Sequence, residues 1–223
     1  IELAPGLSIL MDVLRLDLID PVVSGNKWFK LNYYIEEAAA SGKTILTFGG
    51  AYSNHIVATA AAAEKTGLKS IGIIRGEKPL VLSPTLVQAN ELGMELVYCT
   101  RTENREKPIP DTVTSREKKL YIIPEGGRGH LGMLGAKDIL LQNKTTEYTH
   151  ILSAVGTGTT LAGLAAASTD RQHIIGISVL KNNFSLGTEV DELLRPDKKN
   201  NVRILHDYHF GGYAKRTEDL IPF

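Results

Sequence analysis

Short apolar runs rich in β-branched residues recur along the chain at Thr44–Phe48, Ser70–Ile74, Glu95–Cys99, Leu120–Ile123, Ile151–Val155 and Ile174–Val179. Between most of them the apolar positions fall at helical spacing, over Phe29–Ala40, Asn54–Lys65, Pro84–Glu91, Leu131–Leu141 and Thr159–Ser168. Runs that are continuously apolar suit strands buried on both faces, and strands alternating with helices make a parallel sheet. The chain therefore reads as an α/β protein with parallel sheets covered by helices.

The punctuation agrees. Ser53 or Asn54 stands before an alanine-rich helix as a capping residue, and Gly42, Gly67 and Gly93 follow their helices as natural stops. The span 101–119 is charged and holds Pro108 and Pro110, which predicts a surface excursion or a frayed segment.

Composition narrows the function classes. Hydrophobic residues make up 43% and charged residues 22%, enough apolar material for a core, so wholesale disorder is excluded. Lys plus Arg and Asp plus Glu are 25 each, and no dense basic block occurs, so nucleic acid is not an expected partner. Cys99 is the only cysteine, which excludes an intrachain disulfide and a cysteine-based zinc site. The spacing of His206 and His209 has no cysteine or carboxylate cluster beside it, so no metal is expected. No apolar run approaches the ~18–20 residues that span a bilayer, and IELAPGLSIL lacks a basic signal-peptide start. A cytoplasmic protein without a membrane partner is the expectation.

Three glycine-containing segments fall at strand ends or helix starts, where open α/β sheets place their ligands. In Ala154–Gly163, Gly156 and Gly158 allow a sharp turn after a strand, and the next helix points its free N–H groups into that turn. This is an anion cradle suited to phosphate, although a ligand-free turn would use glycine in the same way. A dinucleotide fingerprint would need glycine at Leu161, and a P-loop would need Lys-Ser or Lys-Thr where Leu164 and Ala165 stand; both fail. In Ser24–Lys30, Lys27 is flanked by Trp28 and Phe29, which could desolvate its amine and favour the neutral form of a nucleophile. In Gly49–His55, Ser53 and Asn54 lie where a strand turns into a helix; helix capping accounts for them and is compatible with a role in the cleft that this position faces, and His55 reads as a packing residue or one that supports the site from behind.

In this order and spacing, the segments resemble pyridoxal-phosphate enzymes of the tryptophan synthase β-subunit type, and within them the 1-aminocyclopropane-1-carboxylate deaminase and D-cysteine desulfhydrase family. SGNKWFKL resembles the family's GGNK segment, GGAYSNH its GG-x-x-SN segment, and VGTGTTLAG its phosphate loop. PEGG at Pro124–Gly127 and HFGGYAK at His209–Lys215 are similar to further family segments. The resemblance implies pyridoxal 5'-phosphate as cofactor, carried by Lys27 and held by Asn54, Gly156, Thr157, Gly158, Thr159 and Thr160. It implies catalytic roles for Lys27, Ser53 and Tyr213. It further implies a small amino-acid substrate, a homodimer, and two domains: 1–42 with 128–223 for the cofactor, and 43–127 as a smaller part closing on substrate.

Family members run several tens of residues past the position of Phe223, with a strand, helices, a second active-site tyrosine and the group facing the pyridine nitrogen. The C-terminal part of the cofactor domain is thus expected to be missing from this sequence, and little turnover is expected of a chain ending there. Desulfhydration of D-cysteine and deamination of 1-aminocyclopropane-1-carboxylate stay open as alternatives. So do a catalytically inactive cofactor-binding fragment and a phosphate-binding α/β protein that uses no pyridoxal.

Overall fold

The computed structural model describes residues 2–4, 7–100, 109–194, 201–211 and 218. Two short strands, β1 (Glu2–Ala4) and β2 (Leu7–Ser8), pair antiparallel ahead of the main body. A four-stranded parallel sheet follows, built from β3 (Thr44–Gly49), β4 (Ser70–Arg75), β5 (Met94–Cys99) and β6 (Leu120–Ile123) in the order β5-β4-β3-β6. A second parallel sheet takes β7 (His150–Val155), β8 (His173–Ser178) and β9 (Val202–Leu205) in sequence order. The helices are α1 (Asn26–Ser41), α2 (Asn54–Lys65), α3 (Pro84–Glu91), α4 (Asp111–Thr114), α5 (His130–Leu141), α6 (Thr159–Ala167) and α7 (Leu186–Asp191). Among the described residues no helix is long and apolar enough to cross a membrane.

The capping chemistry accounts for the helix ends. Ser53 accepts a hydrogen bond from the Ile56 N–H in front of α2, and Ser83 does the same for Leu86 in front of α3, with Pro84 pre-set at the first helical position. Gly42 ends α1 at φ 59°. All of β3 is buried; Ile45 is enclosed in a cluster with residues of α1 and α2, and Leu46 and Ile73 on the other face in a cluster with Val113 of α4. Each such side chain contributes roughly 1.5–3 kcal/mol. On β7 the burial alternates instead, leaving His150, Leu152 and Ala154 exposed.

Helix α1 joins the two sheets. Phe29 packs with Met133, Ala136, Val155 and Leu161 of the second sheet's core, whereas Leu31, Tyr34, Ile35 and Ala38 pack with Ile45, Ala58 and Ile123 of the first. The helices approach closely because glycine removes side chains at the crossings. A methyl group at Gly135 would stand 2.0 Å from the Phe29 carbonyl oxygen of α1, and one at Gly163 would stand 2.5 Å from the Ala136 side chain of α5. Nothing larger than hydrogen fits at either crossing.

Candidate active site

In the four-stranded sheet the chain moves from β3 to β4 to β5 on one side, then crosses over to set β6 on the other side of β3. The C-terminal ends of β3 and β6 thus diverge at a switch point, the usual ligand crevice of such sheets. The segments there are Gly49–Asn54 and Pro124–Gly127.

Lys27 lies in the first turn of α1, which starts at Asn26 and not at Phe29 as periodicity predicted; the apolar stripe begins later than the helix. Its amine donates to the Gly126 carbonyl oxygen at 3.3 Å. Burial lowers the pKa of that amine to about 8. The desolvation does not come from Trp28, which is 41% exposed with the Lys65 amine 5.8 Å from its ring centroid. Phe29 points into the other core.

The turn after β7 stands beside α1. The Asn26 amide donates to the Thr160 hydroxyl at 2.8 Å, tying the residue before Lys27 to the start of α6. A methyl at Gly126 would lie 3.5 Å from the Thr157 methyl, so the same glycine neighbours both Lys27 and the turn. Gly158 caps α6 at φ 73°, and a side chain there would meet Val190 at 2.7 Å and Leu186 at 3.2 Å. That glycine is required by local backbone strain and by the packing of α7. At Gly156 nothing lies within 4 Å. The Thr159 hydroxyl is buried and has no hydrogen-bond partner among the described residues.

Ser53 caps α2, and Asn54 opens that helix exposed to solvent, its side chain without a hydrogen bond among the described residues. His55 is buried behind them. The Thr47 hydroxyl donates to the Ile123 carbonyl at 2.8 Å, so its 2.8 Å contact with His55 Nε2 must be a bond donated by the ring. His55 is therefore the Nε2–H tautomer, and its Nδ1 is buried without a partner among the described residues. Burial, then the charges of Lys27 and Lys30, hold its pKa well below the usual value. Tyr213 lies outside the described residues.

Sequence reasoning overlooked Lys30. It is 1% exposed, and burial together with the Lys27 charge pushes its amine well below the ordinary lysine pKa. The available signal was its place, with Lys27, Leu31, Tyr34 and Ala38, on the stripe of α1 that faces inward. The part played by Gly126 and Gly127 had no signal in spacing, because their partners lie in α1.

A protein of Thermotoga maritima named "Putative 1-aminocyclopropane-1-carboxylate deaminase" is 35% identical over 93% of this chain and 73% of its own length. The chain belongs to this deaminase and D-cysteine desulfhydrase family. A D-cysteine desulfhydrase of Klebsiella pneumoniae is 27% identical over 92% of this chain and 70% of its own length. The crystal structure of an ACC deaminase homologue superimposes with a TM-score of 0.73 at 27% identity, covering 91% of this chain and 67% of that one. No protein-family model matches the chain. The fold is that of the family, fold type II among pyridoxal-phosphate enzymes, as the resemblance implied, and its parallel sheets agree with the α/β alternation.

Proposed function

We propose that this protein is a pyridoxal-phosphate-dependent enzyme that releases a 2-oxoacid and ammonia from a small amino acid, either by desulfhydration of D-cysteine or by deamination of 1-aminocyclopropane-1-carboxylate. One observation carries the reading: a lysine amine whose pKa burial lowers to about 8 stands at the switch point beside a glycine turn with an orphaned hydroxyl. The residues fit the cofactor. Gly156 leaves open space at the turn, Thr159 offers an unused hydroxyl, and Lys27 supplies an amine that is neutral in part near pH 8.

Bound pyridoxal phosphate supplies an electron sink for the bond being broken. Every other task falls to the chain. Lys27 would hold the cofactor, and its amine would hold or move a proton near the substrate α-carbon. The Gly156–Thr160 turn binds the phosphate group, with backbone N–H groups of the α6 start and the Thr159 and Thr160 hydroxyls as donors. At the start of α2, Asn54 would meet the cofactor's phenolate oxygen, and Ser53 would contact the substrate carboxylate or take part in proton transfer. Tyr213 completes the catalytic set.

The domain division belongs to the same proposal: 43–127 as the part that closes on substrate, and 1–42 with 128–223 as the cofactor part. The four-stranded sheet lies wholly inside the first range, which supports the division. A homodimer in the cytoplasm is the setting that the family resemblance carries with it.

The test is chemical. Purified protein incubated with pyridoxal phosphate, reduced with borohydride and digested should yield one pyridoxyl-labelled peptide, with the label on Lys27. Label on Lys30 or Lys43 refutes the assignment. Release of pyruvate from D-cysteine against 2-oxobutanoate from the cyclopropane substrate then decides between the two reactions.

A further inference from the structure

His150 opens β7 and His173 opens β8, separated in sequence by the whole of α6. The parallel register sets the two directly opposite each other, so both side chains stand on one face of the sheet, the face where Leu152 and Ala154 are also exposed. Their ring centroids are 5.1 Å apart, with the planes tilted by 34°.

One residue fastens both. The Thr149 hydroxyl lies 2.9 Å from His150 Nδ1, and the Thr149 carbonyl oxygen accepts from the His173 N–H at 2.8 Å. With Nδ1 engaged, the nitrogen that His150 has left for a ligand is Nε2. A hydrogen bond on the far ring nitrogen is the usual support of a metal-bound imidazole. The spacing fits the same purpose. Imidazole nitrogens bind zinc at about 2.0–2.1 Å, and two rings on one tetrahedral ion then have centres about 5 Å apart. The tilt of 34° suits neither an offset stack nor an edge-to-face pair. Two histidines directly opposite on paired strands also repel when both are protonated. An ion held between two neutral rings removes that repulsion.

We propose that His150 and His173 bind a divalent transition-metal ion of the zinc type, through one ring nitrogen each, at the N-terminal ends of β7 and β8. Among the described residues no group of three or more metal-ligating side chains gathers, so water fills the other positions of the ion. Its place sets its effect. The 6 residues of β7 carry the strand roughly 20 Å from His150 toward the Gly156–Thr160 turn. The ion therefore staples two strands at the end away from the candidate active site, and the inference stands apart from the pyridoxal reading.

The test uses the full chain without a histidine tag, stripped of metal by a chelator and titrated calorimetrically with zinc chloride near neutral pH. Wild type should bind one zinc ion per chain with a Kd of about 10 μM, and no magnesium, which prefers oxygen ligands. His150→Gln and His173→Gln should each weaken zinc binding by about tenfold or more, and Thr149→Val, which keeps both rings, by about tenfold. His206→Gln should bind as wild type does. With copper(II) in place of zinc, pulsed EPR should count two imidazoles on the ion in wild type and one in either single variant. Thr149, His150 and His173 are all exposed, so their variants should fold, and melting without metal checks this. Absence of saturable zinc binding, or binding that survives both His150→Gln and His173→Gln, overturns the inference. So does loss of binding on His206→Gln alone, or a single imidazole on copper in wild type.

Discussion

The amine of Lys27 lies 3.3 Å from the carbonyl oxygen of Gly126, 99 residues further along the chain. This bond fastens the first turn of α1 to the turn after β6 and gives the amine a neutral acceptor in place of a carboxylate. A carboxylate there would hold the amine charged; a carbonyl in a desolvated setting leaves its pKa free to fall. The amine is thereby left neutral in part near pH 8, as the role proposed for Lys27 requires.

A measurable pH dependence follows. The Lys27 amine has a pKa of about 8 in the folded chain against 10.5 for an ordinary lysine, so between those values the unfolded state binds the extra proton. Its contribution therefore destabilises the fold most below about pH 8 and fades as the pH rises toward 10.5. Urea unfolding of wild type and Lys27→Met should show a stability difference that moves in favour of wild type with rising pH, by at most about 1.4 kcal/mol per unit. A flat or falling difference contradicts the assignment.

The helix crossings make a contrast between glycines. Gly135→Ala forces a methyl to within 2.0 Å of the Phe29 carbonyl, with no flexible side chain to yield. It should cost about 3 kcal/mol or more, or prevent folding. Gly156→Ala meets nothing within 4 Å and should leave the melting temperature close to wild type while weakening binding of pyridoxal phosphate. Thermal melts and a cofactor titration on the two variants check both halves.

Asp20 anchors the approach to Lys27. Its carboxylate accepts from the Val22 and Val23 N–H groups at 2.9 and 2.8 Å and pairs with Lys65 of α2. The Lys65 bond first, then the backbone donors, lower its pKa to about 2. This stabilisation is complete above about pH 4, the unfolded range, and is lost as the pH falls toward 2. Asp20→Asn should lower stability at pH 7 by about 1–2 kcal/mol, and the deficit should shrink in acid. An equal deficit at pH 7 and below pH 3 would contradict it.

His55 offers a spectroscopic check. The hydroxyl of Thr47 donates to Ile123 and accepts from the ring, so nitrogen-15 shifts should report the neutral Nε2–H tautomer. Burial and two nearby lysines keep that ring from gaining a proton across the range where exposed histidines titrate. Thr47→Val leaves the ring N–H buried without an acceptor and should cost about 1–3 kcal/mol. A ring that titrates near pH 6.5 refutes the arrangement.

Much of this was legible in the order of residues. The strands at Thr44, Ser70, Leu120 and Ile151 were predicted to within a residue or so of their ends, because a run of β-branched apolar residues marks a strand through local pattern; the expectation of cover on both faces held for β3 and β4 and failed for β6 and β7, where Ile122 and Leu152 are exposed. Strand β9 and helix α7 escaped that reading: each is only a few residues long and carries charge, so neither shows a full period. The glycine and hydroxyl segments at the candidate site were equally visible, since tight turns and helix caps depend on neighbours in sequence.

By itself the sequence determined the α/β alternation, the family and the three segments that could hold a ligand. Tertiary structure alone decided that the parallel strands divide into two sheets with α1 packed against both, and that Leu152 of an apolar run is exposed. It also decided that Gly126 holds the Lys27 amine, that Thr47 selects the His55 tautomer, and that Lys30 is enclosed without a carboxylate partner among the described residues. The reason is range. Propensity and capping act over a few residues, whereas desolvation and hydrogen-bond partnership depend on groups that come close only after the chain has folded.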